Sequence, residues 1–307
     1  MNRRYFIKSS ALGATALASA PLWSVHPPSK KLKISLAQWS LHRSFNNGKL
    51  DPVDFAAITK NTYHLDAVEY VNKFYTDHAS DDKFWMKMNS RASGVGVKSL
   101  LMMVDDEGDL GTANDKTRRT SVENHFKWVN AASILGCHSV RVNAFGEDQK
   151  AAYRSAIVDG MGQLAEYAAQ SNINIVIENH GLFSSDAALI AGIVKEVNRP
   201  NFGTLPDFGN WCLSTKWGTT QGDCNRVYDR YQGVKELLPY AKAVSAKSYN
   251  FNEKGEDTKI DYYRMLKIVK ESKYDGYIGI EYEGEILGEH EGILTTKALM
   301  EKVWNSL

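Results

Sequence analysis

Cysteine is scarce in this chain of 307 residues: only Cys137, Cys212 and Cys224 occur, at spacings that match no zinc-ligand motif. Three cannot all pair. One bridge stays open, Cys212 to Cys224 within a single loop in an oxidising compartment, while Cys137, ahead of a strand, reads as a small buried apolar residue. An excess of one charge is lacking too, since 37 basic residues face 36 acidic ones for a net +1. Nothing therefore marks nucleic acid or an anionic membrane as partner, and a small or neutral ligand is the default. Beyond the N-terminus there is no apolar run long enough to span a bilayer. Linkers, low-complexity tracts and internal repeats are also missing, so the chain reads as one domain. With 43% hydrophobic and 24% charged residues, its composition is that of a folded globular protein.

What is present begins with "MNRRYFIKSSALGATALASAPLWS", where Arg3 and Arg4 are followed by Phe6, Lys8, a short apolar run and an Ala-x-Ala site at residues 18–20. This is the pattern of a twin-arginine signal peptide, expected over residues 1–26 and leaving a periplasmic domain over 27–307. The run is too short for a membrane helix.

Strand-like runs follow at residues 33–38, 66–71, 97–103, 138–143, 173–178, 202–206, 243–247 and 277–282, with helical patterns between them. Eight strand–helix units in a chain of this size predict an α/β fold, a single (β/α)8 TIM barrel. The competing doubly wound sheet wants a glycine-rich turn after its first strand, and "ISLAQWSLHRSF" has none. In such barrels the active groups project from the C-terminal strand ends. Those ends carry Glu69, Glu178, Asp207, Lys247 and Glu281, directly after apolar residues. Carboxylates gathered on one rim need a cation or shared protons to offset their repulsion. A divalent metal supplies it: Mg²⁺ or Mn²⁺ for carboxylates alone, Zn²⁺ or Co²⁺ if His180 joins them.

The segments "VIENHG", "TLPDFGN" and "IGIEYEG" are the places where the chain resembles the xylose isomerase-like (sugar phosphate isomerase/epimerase) TIM-barrel superfamily. The resemblance implies a divalent metal held by carboxylates ending the fifth, sixth and eighth strands, here Glu178, Asp207 and Glu281. It also implies a histidine ending the seventh strand, where this chain has Lys247. The implied chemistry is proton abstraction beside a carbonyl through an enediolate, with Glu178 and Glu281 as opposed bases. An ammonium has no lone pair to give a metal, so Lys247 is expected either to hold a substrate oxygen beside the metal or to replace the metal charge.

Other residues near the rim fill out the expected site. Glu69 orients substrate or pairs with a basic neighbour; His180 binds metal or a substrate hydroxyl, or caps and supports. Arg141 and Asn143 share a face of the fourth strand and offer hydrogen-bond donors, Arg141 alternatively forming an interior salt bridge. Trp39, Tyr70, Phe145, Trp211, Tyr249 and Tyr282 lie within a few residues of strand ends, where Trp39, Trp211 and Tyr249 are candidates to cover sugar C–H faces. His138 starts its strand and is structural. The loop after Glu281, "YEGEILGEHEG", carries Glu283, Glu285, Glu289 and Glu291 without lysine or arginine, which disfavours a phosphate. Three functions remain: an isomerase or epimerase of a non-phosphorylated keto sugar, a lyase or hydratase eliminating beta to the carbonyl of a 3-keto-glycoside or inosose, and a non-catalytic carbohydrate-binding barrel.

Overall fold

Short apolar segments with buried residues at every position, such as "ISLA" and "FGTL", suit strands covered on both faces, and that is how the chain uses them. The computed structural model describes residues 30–307, so the proposed signal peptide lies outside the described residues. Residues 32–307 form one unit.

Its eight strands are β1 (Ile34–Ala37), β2 (Ala67–Val71), β3 (Lys98–Val104), β4 (Ser139–Val142), β5 (Asn174–Glu178), β6 (Phe202–Leu205), β7 (Val244–Ser248) and β8 (Ile278–Tyr282). They pair in parallel in the order β6-β5-β4-β3-β2-β1-β8-β7. Closure between β6 and β7 is looser. It runs through isolated bridges, Thr204 to Ala241 and Asp207 to Ser245, with Lys242 N donating to Thr204 O (3.0 Å) and Ser245 N to Pro206 O (3.0 Å). The result is the single (β/α)8 barrel expected from the strand count.

Around it stand α1 (His42–Asn46), α2 (Phe55–Tyr63), α3 (Asp82–Gly94), α4 (Asp115–Leu135), α5 (Lys150–Ala169), α6 (Ala187–Val197), α7 (Arg230–Leu237), α8 (Tyr262–Glu271) and α9 (Glu289–Ser306). Side chains of Asp81, Asn114, Asp186, Asp229 and Asp261 accept from backbone amides at the starts of α3, α4, α6, α7 and α8. These caps satisfy amides that have no partner within the helix and fix where each βα loop ends. The main core lies between sheet and helices, built on side chains such as Trp85, Trp128, Tyr153 and Leu266.

The inner face of the barrel follows from alternation along each strand. It places Arg141, Glu178, Lys247 and Glu281 on the inner face toward the strand C-termini, and Ser35 and Glu69 deeper, at the level of the small apolar cluster that includes Val71, Leu101, Met103, Val176 and Leu205. The barrel interior is thus unusually polar at one end, and that end carries the strand C-termini.

Candidate active site

Register sets the geometry of the strand ends. Lys247 is opposite Glu281 across the β7–β8 ladder, and Asp207 bridges to Ser245 across the seam. Consequently Glu178, Asp207 and Glu281, all buried, bring carboxylate oxygens within 4.8 Å of one another.

Each carboxylate is fixed by different neighbours. Asp207 Oδ1 accepts from the amides of Gly209 (2.7 Å) and Asn210 (2.8 Å), while Ser245 Oγ lies 2.5 Å from its Oδ2 and 2.8 Å from Glu281 Oε2. One hydroxyl proton cannot serve both acceptors fully, so the pair is arranged to share a proton or a cation. Glu178 accepts from Asn210 Nδ2 (3.2 Å), and its Oε2 lies 2.9 Å from Arg141 Nε, an ion pair without an aligned N–H. Burial holds Glu178 well above the usual carboxylate range despite Arg141, and pushes Asp207 up to about 6 against the pull of Lys247.

Lys247 is 1% exposed, with Nζ 3.3 Å from Glu281 Oε1 and 3.0 Å from Glu283 Oε1. Burial alone would lower its pKa; the surrounding carboxylates, Glu281 and Glu283 foremost, outweigh that and keep the ammonium charged.

On the other flank, Arg141 Nη1 binds Asp105 Oδ1 at 2.6 Å, and Asn143 Nδ2 donates to the same oxygen at 2.6 Å. Asp105 is raised by burial but held below its ordinary value by Arg141 and its other contacts. His180 Nδ1 is 2.7 Å from Asn143 Oδ1, an oxygen that only accepts, so Nδ1 carries the proton. Burial, reinforced by Arg141, keeps this imidazole neutral.

Beside these groups lies a cavity of about 510 Å³ lined by Trp39, Arg43, Lys73, Asp105, Arg141, His180, Asn210, Trp217, Glu281 and Glu283, among others. Of the expected residues, Trp39, Arg141, His180 and Glu281 line it, while Glu178, Asp207 and Lys247 are buried next to Glu281 and outside its lining. His180 stands beside the carboxylate group, 3.9 Å from Glu178, and is outside the set whose oxygens converge. Glu69 is 1% exposed, bound by Ser35 Oγ (2.6 Å) below the cavity rather than facing it. Trp211 is fully buried against Gly233 and Tyr228, and Tyr249 is fully buried with only its hydroxyl near Thr219 (3.3 Å). Neither ring lines the cavity: Trp211 packs behind it on Gly233, and the Tyr249 hydroxyl lies beside Gly209 and Lys247; Tyr70 and Tyr282 are core. Phe145 packs edge to face with Trp217, and His138 bonds Ser139 Oγ (2.7 Å). Cys212 and Cys224 are joined, with Cα atoms 5.9 Å apart.

Sequence reasoning does not single out Asp105, Asn210 and Trp217, and it reads Glu283 as rim charge rather than as the partner of Lys247. Asp105 and Asn210 lie in "VDD" and "DFGN", where their own positions carry no periodic signal. Trp217 sits in an irregular loop, where only the cysteine spacing hinted at order.

The donor set suits a hard divalent cation: three convergent carboxylate oxygens, in a site where Glu178, Asp207, Glu281 and Glu283 outnumber Lys247 and Arg141. A family model described as a xylose isomerase-like TIM barrel matches residues 64–303. A Mus musculus protein named "Putative hydroxypyruvate isomerase" is 23% identical over 214 residues, 63% of this chain and 73% of that protein. The Escherichia coli 3-keto-D-glucoside 4-epimerase YcjR has the same fold, with a TM-score of 0.65 at 12% identity over 89% of this chain and 100% of that one. The IolI protein, solved with a bound zinc atom, gives a TM-score of 0.66 at 15% identity over 90% of this chain and 99% of that one.

Proposed function

The chain belongs to the xylose isomerase-like TIM-barrel family, and on that premise we propose that it is a periplasmic isomerase or epimerase of a non-phosphorylated keto sugar. The observation that carries this reading is the convergence of Glu178, Asp207 and Glu281 within 4.8 Å, with Glu281 lining the cavity and the other two buried beside it. These three would hold a divalent cation, which supplies positive charge against the negative charge developing on the substrate oxygens.

The proton work falls to the carboxylates. One of Glu178 and Glu281 takes the proton from the carbon beside the carbonyl, leaving an enediolate. Return of a proton to the same carbon from the opposite carboxylate inverts that centre, and delivery to the neighbouring carbon moves the carbonyl. Lys247, paired with Glu281 and Glu283, would hold a substrate oxygen with its ammonium, with Glu283 fixing its direction. Arg141 and Asn210 keep Glu178 in place from two sides.

A neutral sugar is favoured by the rim. Glu283 and Glu285 line the cavity, and the nearby cations are engaged: Arg43 Nη1 donates to Gly284 O (2.9 Å), and Lys73 Nζ lies 5.4 Å from the Trp39 ring centre. Export is supported by the twin-arginine pattern and by the Cys212–Cys224 bridge.

A second reading, elimination beta to a ketone in a 3-keto-glycoside or inosose, is favoured by Lys247, whose fixed ammonium is a proton donor for a departing oxygen. Incubation with keto sugars and 3-keto-glycosides in D₂O separates the two. Deuterium in an intact sugar supports isomerisation, and an unsaturated or aglycone-free product supports elimination. Absence of both products from the metal-loaded protein refutes both.

A further inference from the structure

The chain between Cys212 and Cys224 has no regular structure, yet it delivers Trp217, Thr219 and Gln221 to the cavity lining. A loop of that kind is ordinarily the least ordered part of a barrel rim. Here it is fastened at several points. Cys212 is fully buried and its amide donates to Gly218 O (2.9 Å), Leu213 N donates to Arg226 O (2.8 Å), and Thr220 Oγ1 donates to Gly209 O (2.8 Å).

The first half of the loop is also laid against the end of β5. Gly181, directly after His180, bridges to Lys216, and a Cβ on Gly181 would fall 2.2 Å from Thr215 O and 2.6 Å from Gly218 N. Both glycines have positive φ (97° and 63°), so neither position takes a side chain without strain. Trp217 itself has φ 71°, a costly conformation for a bulky residue that persists only when its surroundings impose it. The imposed result is an indole 5.0 Å from the His180 ring and 5.5 Å from Phe145, both edge to face, and 38% exposed. The second half, 219–224, is held by Thr220, whose Oγ1 donates to Gly209 O and accepts from Arg230 Nη2 (3.1 Å), by Thr219 beside the Tyr249 hydroxyl (3.3 Å), and at its end by the disulfide.

Resting on the sugar-isomerising reading, we propose that this disulfide-closed ring is the substrate-gripping wall of the site, with Trp217 as its aromatic platform and Thr219 and Gln221 as hydroxyl partners. The ring determines how tightly and which sugar is held. The carboxylates determine what happens to it, and the disulfide is the positioning device that keeps the wall at its working distance.

The test uses the metal-loaded protein, its Cys212→Ser/Cys224→Ser double variant and Trp217→Ala with the bridge intact. Hydrogen-exchange mass spectrometry reads peptides across 213–223, and steady-state turnover is measured on D-fructose and on methyl 3-keto-α-D-glucopyranoside. Expected for the double variant are faster exchange confined to that segment, retained metal stoichiometry, and a KM raised about fivefold to tenfold with kcat little changed. Trp217→Ala should raise KM similarly without the change in exchange. Unaltered exchange in the double variant, or a KM unaltered by Trp217→Ala, overturns the proposal. Failure of wild-type protein on every sugar refutes the proposed function, while the exchange experiment still decides whether the bridge orders the wall.

Discussion

Lys247 and Glu283 form a 3.0 Å ion pair in which the lysine is fully enclosed and the carboxylate stands at the cavity edge. The ammonium thereby links the floor of the site, through Glu281, to its rim. Lys247→Met would leave two carboxylates without their cation and should destabilise metal-free protein by about 3 kcal/mol. Metal stoichiometry, measured by inductively coupled plasma mass spectrometry, should survive, whereas deuterium incorporation into sugar should be lost. Loss of metal instead would show that Lys247 supports the ligand set and not the substrate. Lys247→His restores the residue type implied by the family resemblance and should shift binding toward Zn²⁺.

The buried acids give a pH dependence with a definite sign. Burial raises Glu69 to about 7 and Asp207 to about 6, so the folded state binds protons that the unfolded state has already released above its ordinary carboxylate pKa. Stability of EDTA-treated protein should therefore fall as pH rises from about 4 to about 7, by ~3 kcal/mol for Glu69. Asp105, held low by Arg141, contributes with the opposite sign. Urea denaturation across that interval checks the slope, and Glu69→Gln should flatten part of it. A stability that climbed through the interval would contradict the assignment.

Substituting the acids separates holding from proton transfer. Glu178→Gln and Glu281→Gln should each slow deuterium exchange by about 10²- to 10⁴-fold, the range for loss of a general base. Asp207→Asn should act first on metal content, since Asp207 is anchored by two backbone amides and takes no proposed proton. Equal metal loss in all three variants with no difference in residual exchange would argue against distinct roles.

Much of this architecture was legible because barrel strands are short, apolar and regularly spaced: all eight expected runs overlap the observed strands. Glu178, Asp207 and Glu281 could be placed because each ends such a run. Glu69 instead lies in the middle of β2, two residues short of its end, and a register shift between Val68 and Glu69 and the missing side chain at Gly279 let it sink beside Ser35. Neither effect has a sequence period. Trp211 and Tyr249 misled for a related reason, since residues just past a strand turn inward or outward according to loop path. The partners of His180 likewise depend on the third-strand loop, which brings Asp105 and with it Asn143 into place.

Gly279 offers a compact check on that sunken carboxylate. A Cβ there would lie 2.6 Å from Glu69 Oε1, so Gly279→Ala should cost about 1–3 kcal/mol of stability. Glu69→Ala in the same chain should recover most of it, because the collision is then gone. A double-mutant cycle by thermal denaturation reads the coupling, and strictly additive effects would place Glu69 elsewhere.

The loose closure between β6 and β7 has a kinetic meaning. Asp207 follows β6 and Glu281 lies on β8, so a cation gripped by both would reach across β7 and clamp the one joint of the cylinder that lacks a continuous ladder. Loading would then do more than add binding energy to the folded state. It would close the route by which the barrel unzips, and the holoprotein should survive heat and proteases through slow opening as much as through a raised midpoint.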